Sequence, residues 1–400
     1  IHVDERYELF VNGKRLGRGS ERGDHNYAFC EEYTVLLNTG KNILVVRAWK
    51  LGDISPFAQM SIGCGFVLFS TIPEVNELLA TGIAPWKVKL LKGYNFIYPH
   101  IACPTGANFL IDGKSFDWGF ERGSGDNWEK AVIDSSYHTD KINLVMAPLP
   151  QMMELPVKPG CVRYIDTFCK YKSAQVLDKN NLRSEIPGWD QLLSGNKSLK
   201  IPPNSFRRII IDLKNYYCAY TELIVSGGHD CEIKIFWAES LFVNDQAISF
   251  DSIKGNRNDI DNKYFCGVGD IFKIAGGKKH KYENRWWQAG RYVELQIRTD
   301  AEALTIDKII FNETRYPLEP ESKIRTADNS LNQILPLMTR SLQMCIHETY
   351  MDCPYYEQLM YVGDTRLQVL ATYVLTSDRR APEKAIKLLE KSILKHRLSQ

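Results

Sequence analysis

In the run Met351-Asp352-Cys353-Pro354-Tyr355-Tyr356-Glu357-Gln358-Leu359-Met360-Tyr361-Val362-Gly363-Asp364-Thr365-Arg366, Pro354 prevents an incoming helix from continuing, and Gly363 marks the way into another. Upstream, Leu331, Ile334, Leu335, Met338, Leu342, Cys345 and Ile346 recur at helical spacing, and Asp328 or Ser330 can cap the start. Downstream, the pattern predicts a second helix from about Thr365 to Leu375. A third starts near Pro382, an N1-type proline, and runs to about Leu398, with Ile386, Leu388, Leu389, Ile393 and Leu394 on its apolar side. Helices joined by short loops are antiparallel neighbours. Residues 351–366 therefore read as an interhelical loop. Three helices cannot bury their apolar faces alone, so the helical part is expected to be cut off at Gln400.

Everything before this helical stretch reads as β-structure. Tyr7 to Val11 leads into Asn12-Gly13, a hairpin signal, because a type I′ turn needs positive φ at both central residues. Tyr33 to Leu37, Asn42 to Trp49 and Phe66 to Phe69 are further strand candidates. Pro148, Pro150, Pro156 and Pro159 then form a connector, the expected boundary between two β blocks. Phe206 to Leu213, Ala219 to Ser226, Cys231 to Trp237, Tyr292 to Arg298 and Leu304 to Phe311 fill the second block. Strands first and helices afterwards mean separate domains, not alternating β-α-β units. The predicted organisation is a β-sandwich region over 1–150, a second β-sandwich over 151–320 and a helical domain over 321–400.

Composition narrows the function classes. The 400 residues suit two to three domains at roughly 150 residues each. Lys+Arg 50 against Asp+Glu 48 leaves a net charge of +2, with no electrostatic footprint for nucleic acid. No apolar run approaches the roughly 18 residues of a membrane span. Cysteines at 30, 64, 103, 161, 169, 218, 231, 266, 345 and 353 include no Cys-x-x-Cys, which argues against zinc; most read as free buried thiols. They leave the redox compartment undecided, and homo-oligomerisation stays open.

Several signatures fail. His347-Glu348 opens like a zincin helix, but Met351 stands where the second histidine ligand belongs. Gly63-Cys64-Gly65 and Gly267-Val268-Gly269 lack the third glycine and the context of a dinucleotide site. Asn196-Lys197-Ser198 and Asn312-Glu313-Thr314 are sequons of a kind that arises by chance. Asp251, Asn256, Asp259, Asp261 and Asn262 are a candidate for calcium, without the spacing of an EF-hand loop. Otherwise no cofactor is expected.

The loop carries the chemistry. Asp352, Glu357 and Asp364 share it with Tyr355, Tyr356 and Tyr361. Carboxylates placed close together raise one another's pKa, which lets one remain a proton donor near neutrality. Tyrosines offer flat faces for stacking on sugar rings. The plainer alternative is a polar connection in which Asp364 caps the second helix.

The same loop resembles the signature of the bacterial α-L-rhamnosidases of glycoside hydrolase family 78. Asp352-Cys353-Pro354, Glu357, Tyr361 and Gly363-Asp364 fall on its Asp-Cys-Pro, Glu, aromatic and Gly-Asp positions. Tyr7 to Lys14, Trp237-Ala238-Glu239 and Gly290 to Leu295 resemble the family's preceding sandwiches. The resemblance implies β-sandwich, jelly-roll-like domains followed by the first helices of an (α/α)6 toroid, truncated here at the C-terminus. It implies an exo-acting, inverting glycosidase releasing terminal α-L-rhamnose from glycans or glycosides, exported to the periplasm or beyond.

By position in the motif, Glu357 would be the general acid. Asp352, Asp364 and Arg366 would hold substrate, Tyr361 would pack against the ring, and the general base would lie outside residues 1–400. Residues 1–400 by themselves are accordingly expected to hydrolyse no glycoside. Two departures bear on the sugar: Tyr361 replaces the family's usual tryptophan, and Tyr355-Tyr356 its frequent Gln-Arg pair. The alternatives are a six-hairpin glycosidase for another sugar and a non-catalytic carbohydrate-binding protein.

Overall fold

The computed structural model describes all residues except 25–26, 60, 62, 64, 98–104, 134–142, 168–174, 246–251 and 397–400, and the side chains of 393–396. The Asn12-Gly13 signal is realised. Arg6–Val11 turns through Asn12 at φ 52° and Gly13 at φ 81° into Lys14–Gly19, and pairs on its other side with Leu44–Trp49. Alternation along Arg6–Val11 does not give one wet face. Tyr7 and Leu9 join a small core with Ile1, Val3 and Leu68, while Glu8 on the opposite face is 0% exposed. Tyr33 to Leu37 forms no strand. Its Tyr33 hydroxyl is tied to that of Tyr7 at 3.0 Å, but its backbone finds no ladder, and Leu36 and Leu37 are exposed. The strand near Phe66 is limited to Gly65–Val67.

The second block builds a sheet of eleven strands among the described residues. Its order is Met153–Pro156, Leu304–Arg315, Phe206–Gly227, Gln288–Arg298, Glu232–Ala238, Val268–Lys273, Asn108–Asp112, Tyr94–Ile97; Cys161–Asp166, His280–Glu283 and Leu199–Ile201 pair off this path. Two separately predicted strands are one 22-residue strand, Phe206–Gly227. Its first part lies between Cys161–Asp166 and Gln288–Arg298. Its last part lies between His280–Glu283 and Leu304–Arg315.

The change of partners follows a bulge at Lys214, which adopts φ 65°. Buried Asp212 fixes that bulge by accepting the Lys214 N–H at 2.8 Å and both Arg291 nitrogens at 2.8 and 3.0 Å. Inward residues alternate along the strands, as with Ile209 and Ile211, Leu223 and Val225, or Ile233 and Ile235, and bury one contiguous core. Among the described residues five α-helices accompany the strands: α1 (Pro73–Leu79), α2 (Ile186–Leu193), α3 (Asn329–Met344), α4 (Val362–Leu375) and α5 (Arg380–His396). Helices α1 and α2 were not anticipated, although both carry a proline in the first turn; α2 closes the core with Trp189, Leu192 and Leu193.

Residues of the first block also enter the large sheet. Asn108–Asp112 pairs in parallel with Val268–Lys273, and the join is clamped by buried Asp270, whose Oδ1 accepts the Phe109 N–H at 2.8 Å. Its Oδ2 meets no donor among the described residues. Burial pushes this carboxyl up to about 7, against the lowering effect of the Phe109 N–H and the Asn108 side chain. A group that holds its proton more tightly folded than unfolded loses stability as pH rises from the ordinary carboxylate range through its folded value. Asp270→Asn is therefore expected to change stability little at pH 4. Its gain over the parent should grow between pH 4 and 7 and then level off, at about 1.4 kcal/mol per unit of displacement as an upper bound. Calorimetric melting of both proteins from pH 4 to 9 measures this, and a difference constant with pH would refute it.

Helix α3 is capped by Asp328, whose carboxylate accepts the Ser330 N–H at 2.8 Å. Helix α4 begins at Val362, before the predicted Thr365, and Asp364 lies in its first turn instead of capping it. Helix α5 begins at Arg380, so Pro382 is its third residue; the predicted end at Leu398, and the side chains of Ile393 and Leu394, lie outside the described residues. Helices α3 and α5 and the segment after α3 dock through Leu342, Ile346, Tyr350, Ala381 and Ala385 against Leu149, Tyr316 and Leu318, and α4 adds the partly buried Val369 and Leu375. Their other faces leave Leu331, Leu337, Met338, Leu367, Leu370, Val374 and Ile386 exposed. No described helix is long and apolar enough to cross a membrane.

Candidate active site

The loop after α3 is closed by its own backbone. The Asp352 N–H donates to the Leu359 carbonyl at 2.8 Å, and the Leu359 N–H returns to Asp352 Oδ1 at 3.0 Å. The Gln358 N–H bonds the Cys353 carbonyl at 3.0 Å. Glu357 is held at the outer edge of this closed turn, half-buried, and the Tyr361 hydroxyl donates to its Oε2. That bond to the carboxylate pushes the Tyr361 hydroxyl up to about 12. The turn thus gathers Asp352, Glu357 and Tyr361. Asp364 is exposed on the first turn of α4, where a carboxylate suits the helix dipole; Arg366 is exposed two residues further along the same helix.

The tyrosines divide. Tyr361 is 44% exposed beside Glu357 and is available to a ligand. Tyr355 is 4% exposed, packs with Met351 against Cys218, Val268 and Trp287, and donates its hydroxyl to the Trp237 carbonyl at 2.9 Å. Tyr356 meets Tyr355 edge-on and lies under the Lys254 ammonium, 4.8 Å from its ring. The pair expected to stack on a sugar instead fastens the loop to the large sheet, because rings of this size gain more from the apolar wall beneath the loop than from solvent.

That wall contributes charge as well. Glu239 accepts the Tyr216 hydroxyl at 3.0 Å and pairs with Lys254. Burial first, then the negative charges of Asp352, Asp364 and Glu239, push the Cys345 thiol up to about 11. Cys353 rises to about 12 through burial and the neighbouring Asp352. Neither thiol has the electropositive surroundings of a nucleophile. Cys30, Cys161, Cys218 and Cys231 are free too, whereas Cys64, Cys103 and Cys169 lie outside the described residues.

His347-Glu348 serves the interior. Glu348 binds the Arg6 guanidinium through both oxygens at 2.7 and 2.8 Å and accepts the Arg22 N–H at 3.0 Å. Burial would raise its pKa, but Arg6 holds it down to about 2. Burial drives His347 down to about 3, and its Nε2 meets Thr314 Oγ1 at 3.0 Å. In the acidic stretch considered for calcium, Asp251 lies outside the described residues and Asp259 is paired with Lys263 at 2.6 Å. Among the described residues no group of three or more His, Cys, Asp or Glu is placed to hold a metal ion.

Sequence reasoning missed Arg6, Arg22, Trp286 and Lys254, all of which reach the loop from the β blocks. Only Glu239 had a signal, in Trp237-Ala238-Glu239, and that signal spoke for the sandwich and not for the loop.

A six-hairpin glycosidase domain is the class to which these helices and their loop correspond: residues 319–396 match the family model described as bacterial alpha-L-rhamnosidase 6 hairpin glycosidase domain. The likeness extends along the chain to the α-L-rhamnosidases of glycoside hydrolase family 78. Over 100% of its length the chain superimposes on 60% of the family 78 rhamnosidase of Bacillus sp. GL1, with TM-score 0.70 and 14% identity. It covers 98% of itself and 40% of the α-L-rhamnosidase of Aspergillus terreus, with TM-score 0.54 and 14% identity. For the α-L-rhamnosidase of Dictyoglumus thermophilum the figures are 96%, 38%, TM-score 0.53 and 16% identity. At such identities the likeness is one of fold, and the chain spans 60% or less of each of these proteins. No curated protein sequence matches it.

Proposed function

We propose that this chain is part of an exo-acting, inverting α-L-rhamnosidase, with Glu357 as the general acid. The observation that carries the reading is the closed turn on which Asp352, Glu357 and Tyr361 meet, inside the segment that matches the rhamnosidase domain model. Glu357 gives its proton to the glycosidic oxygen as the bond to the anomeric carbon breaks. Asp352 and Asp364 hold sugar hydroxyls, Arg366 assists them, and Tyr361 packs against the ring. Inversion further requires a carboxylate roughly 6.5–9.5 Å from the acid to activate water from the opposite face. That base is proposed to lie outside residues 1–400, on toroid helices that cover the exposed faces of α3, α4 and α5. The apolar side chains exposed there support this, since a contiguous apolar surface marks an interaction site. The substrate class is a rhamnose-capped glycan or glycoside.

The burial of Tyr355 bears on specificity. With Tyr355 and Tyr356 directed to the sandwich, their departure from the family pattern alters docking of the loop, and Tyr361 alone among the three meets the sugar. The test is to assay the natural full-length protein on a panel of aryl glycosides and to follow the first-formed sugar by proton NMR. Release of β-L-rhamnose from an α-L-rhamnoside is expected. Turnover confined to another glycoside would overturn the sugar assignment, and first-formed α-L-rhamnose would overturn inversion.

A further inference from the structure

Gln358, immediately after the proposed acid, is the most constrained residue of the loop. It is 2% exposed and adopts φ 60°, a left-handed conformation that a residue with a long side chain rarely takes. Such a conformation persists only where the surroundings over-determine it. Here they come from its own loop and from two distant parts of the chain. Its own loop accepts the side-chain amide, Nε2 to the Pro354 carbonyl at 3.0 Å. From the first β block, Arg22 donates Nη1 to the Gln358 carbonyl at 3.1 Å and Nη2 to its Oε1 at 3.2 Å. From the second, the Trp286 indole N–H donates to the same Oε1 at 2.9 Å.

The grip is itself braced. The guanidinium groups of Arg6 and Arg22 lie over the Trp286 ring, 4.6 and 4.9 Å from its centre, and Asn284 holds the Trp286 carbonyl at 2.7 Å. The left-handed residue reverses the chain, so that Gln358 points inward and Glu357 stays at the accessible edge.

We propose that Arg22 and Trp286 are positioning residues for Glu357: by fixing Gln358 in its left-handed turn, they aim the acid at the glycosidic oxygen. This rests on the reading of Glu357 as the proton donor. A catalytic group must be held to within about 0.5 Å of its working place, and neither Lys nor Phe reproduces the paired donors or the indole N–H. Arg22→Lys keeps the charge but not the fork. Trp286→Phe keeps a ring beneath Arg6 and Arg22 but not the donor.

The experiment measures kcat/KM of the natural full-length protein and of both variants on an alkyl and on a dinitrophenyl α-L-rhamnoside. Help from an acid matters most when the leaving group is poor. Each variant is expected to lose at least tenfold more on the alkyl than on the dinitrophenyl substrate, and the alkaline limb of its pH profile should move. Equal losses on both substrates would make the two residues merely structural and overturn the proposal.

Hydrogen exchange supplies a readout independent of turnover. The Gln358 and Leu359 amides should exchange at least tenfold faster in Trp286→Phe, with Phe206–Leu213 unaffected. Unaltered exchange in that variant overturns the grip even if Arg22→Lys does not fold. If the parent hydrolyses no α-L-rhamnoside, the assignment of Glu357 falls, and faster exchange would still establish the grip on Gln358.

Discussion

Replacing Glu357 by Gln is expected to lower kcat/KM on unactivated α-L-rhamnosides by about 10²–10⁴, the range that a positioned general acid contributes. The substitution is mild for the fold. Glu357 lies at the edge of the turn, and a glutamine oxygen can still accept the Tyr361 hydroxyl. What it cannot do is give a proton to the departing oxygen. The loss should shrink on a dinitrophenyl rhamnoside, whose leaving group needs little protonation, so the ratio of the two substrates separates a missing acid from a damaged site. Equal activity of parent and variant on natural substrates, with unchanged melting, would place the donor elsewhere.

Glu8→Gln should produce the largest loss of stability, about 3–5 kcal/mol, as when one member of a buried ion pair is removed. Glu8 is fully buried and faces four arginines. Arg47 Nε and Arg285 Nη1 reach its Oε2 at 2.8 Å, Arg18 bonds its Oε1, and Arg15 approaches the same oxygen at 3.4 Å. Glu283 and Glu154 share Arg15 and Arg18, so three carboxylates face the four guanidinium groups and leave one positive charge in excess. Burial raises Glu283, but Arg18 and Arg15 hold it down to about 2; its stabilisation is present above the ordinary glutamate range and is lost as pH falls toward 2. Glutamine at position 8 doubles the excess of positive charge held out of water and takes away the carboxylate that all four arginines reach. Urea denaturation at low and at high salt measures the effect. A loss under 1 kcal/mol, or one abolished by salt, would mean that the cluster behaves as a surface network.

Local signals were legible where local physics decides. Asn12-Gly13 made its hairpin because the turn needs positive φ at both residues, and Asp328 capped α3 because a free helix N–H lies within its reach. Pro354 and Gly363 signalled a break between helices but not its ends, since α3 already stops at Met344 and Gly363 is the second residue of α4; the motif placed Asp352, Glu357 and Tyr361 together before their bonds could be seen.

What stayed hidden depends on separation. A strand that keeps its direction through a bulge reads as two, since the apolar pattern lapses between Leu213 and Ala219 and the hold of Asp212 on the Lys214 N–H leaves no periodic trace. Tyr355 looked like a sugar platform because nothing nearby in sequence reveals the wall of Cys218, Val268 and Trp287. Arg22 and Gln358 are 336 residues apart, and Arg15 and Glu283 are 268 apart. Patterns of period two or 3.6 carry no record of such pairs.

The arginine and glutamate seam between the first hairpin and the large sheet also bears on how this architecture can be recombined. Apolar interfaces tolerate exchange, because one greasy surface of suitable shape serves much like another. A seam closed by four guanidinium groups against three carboxylates works as a lock cut for a single key. A hairpin transplanted from a relative would have to bring its own Glu8, Arg15, Arg18 and Arg47 in register with Glu154, Glu283 and Arg285, or leave charges stranded in a dry joint. The leading β block is therefore not an interchangeable module: it fits only a partner that presents Glu154, Glu283 and Arg285 in the same places.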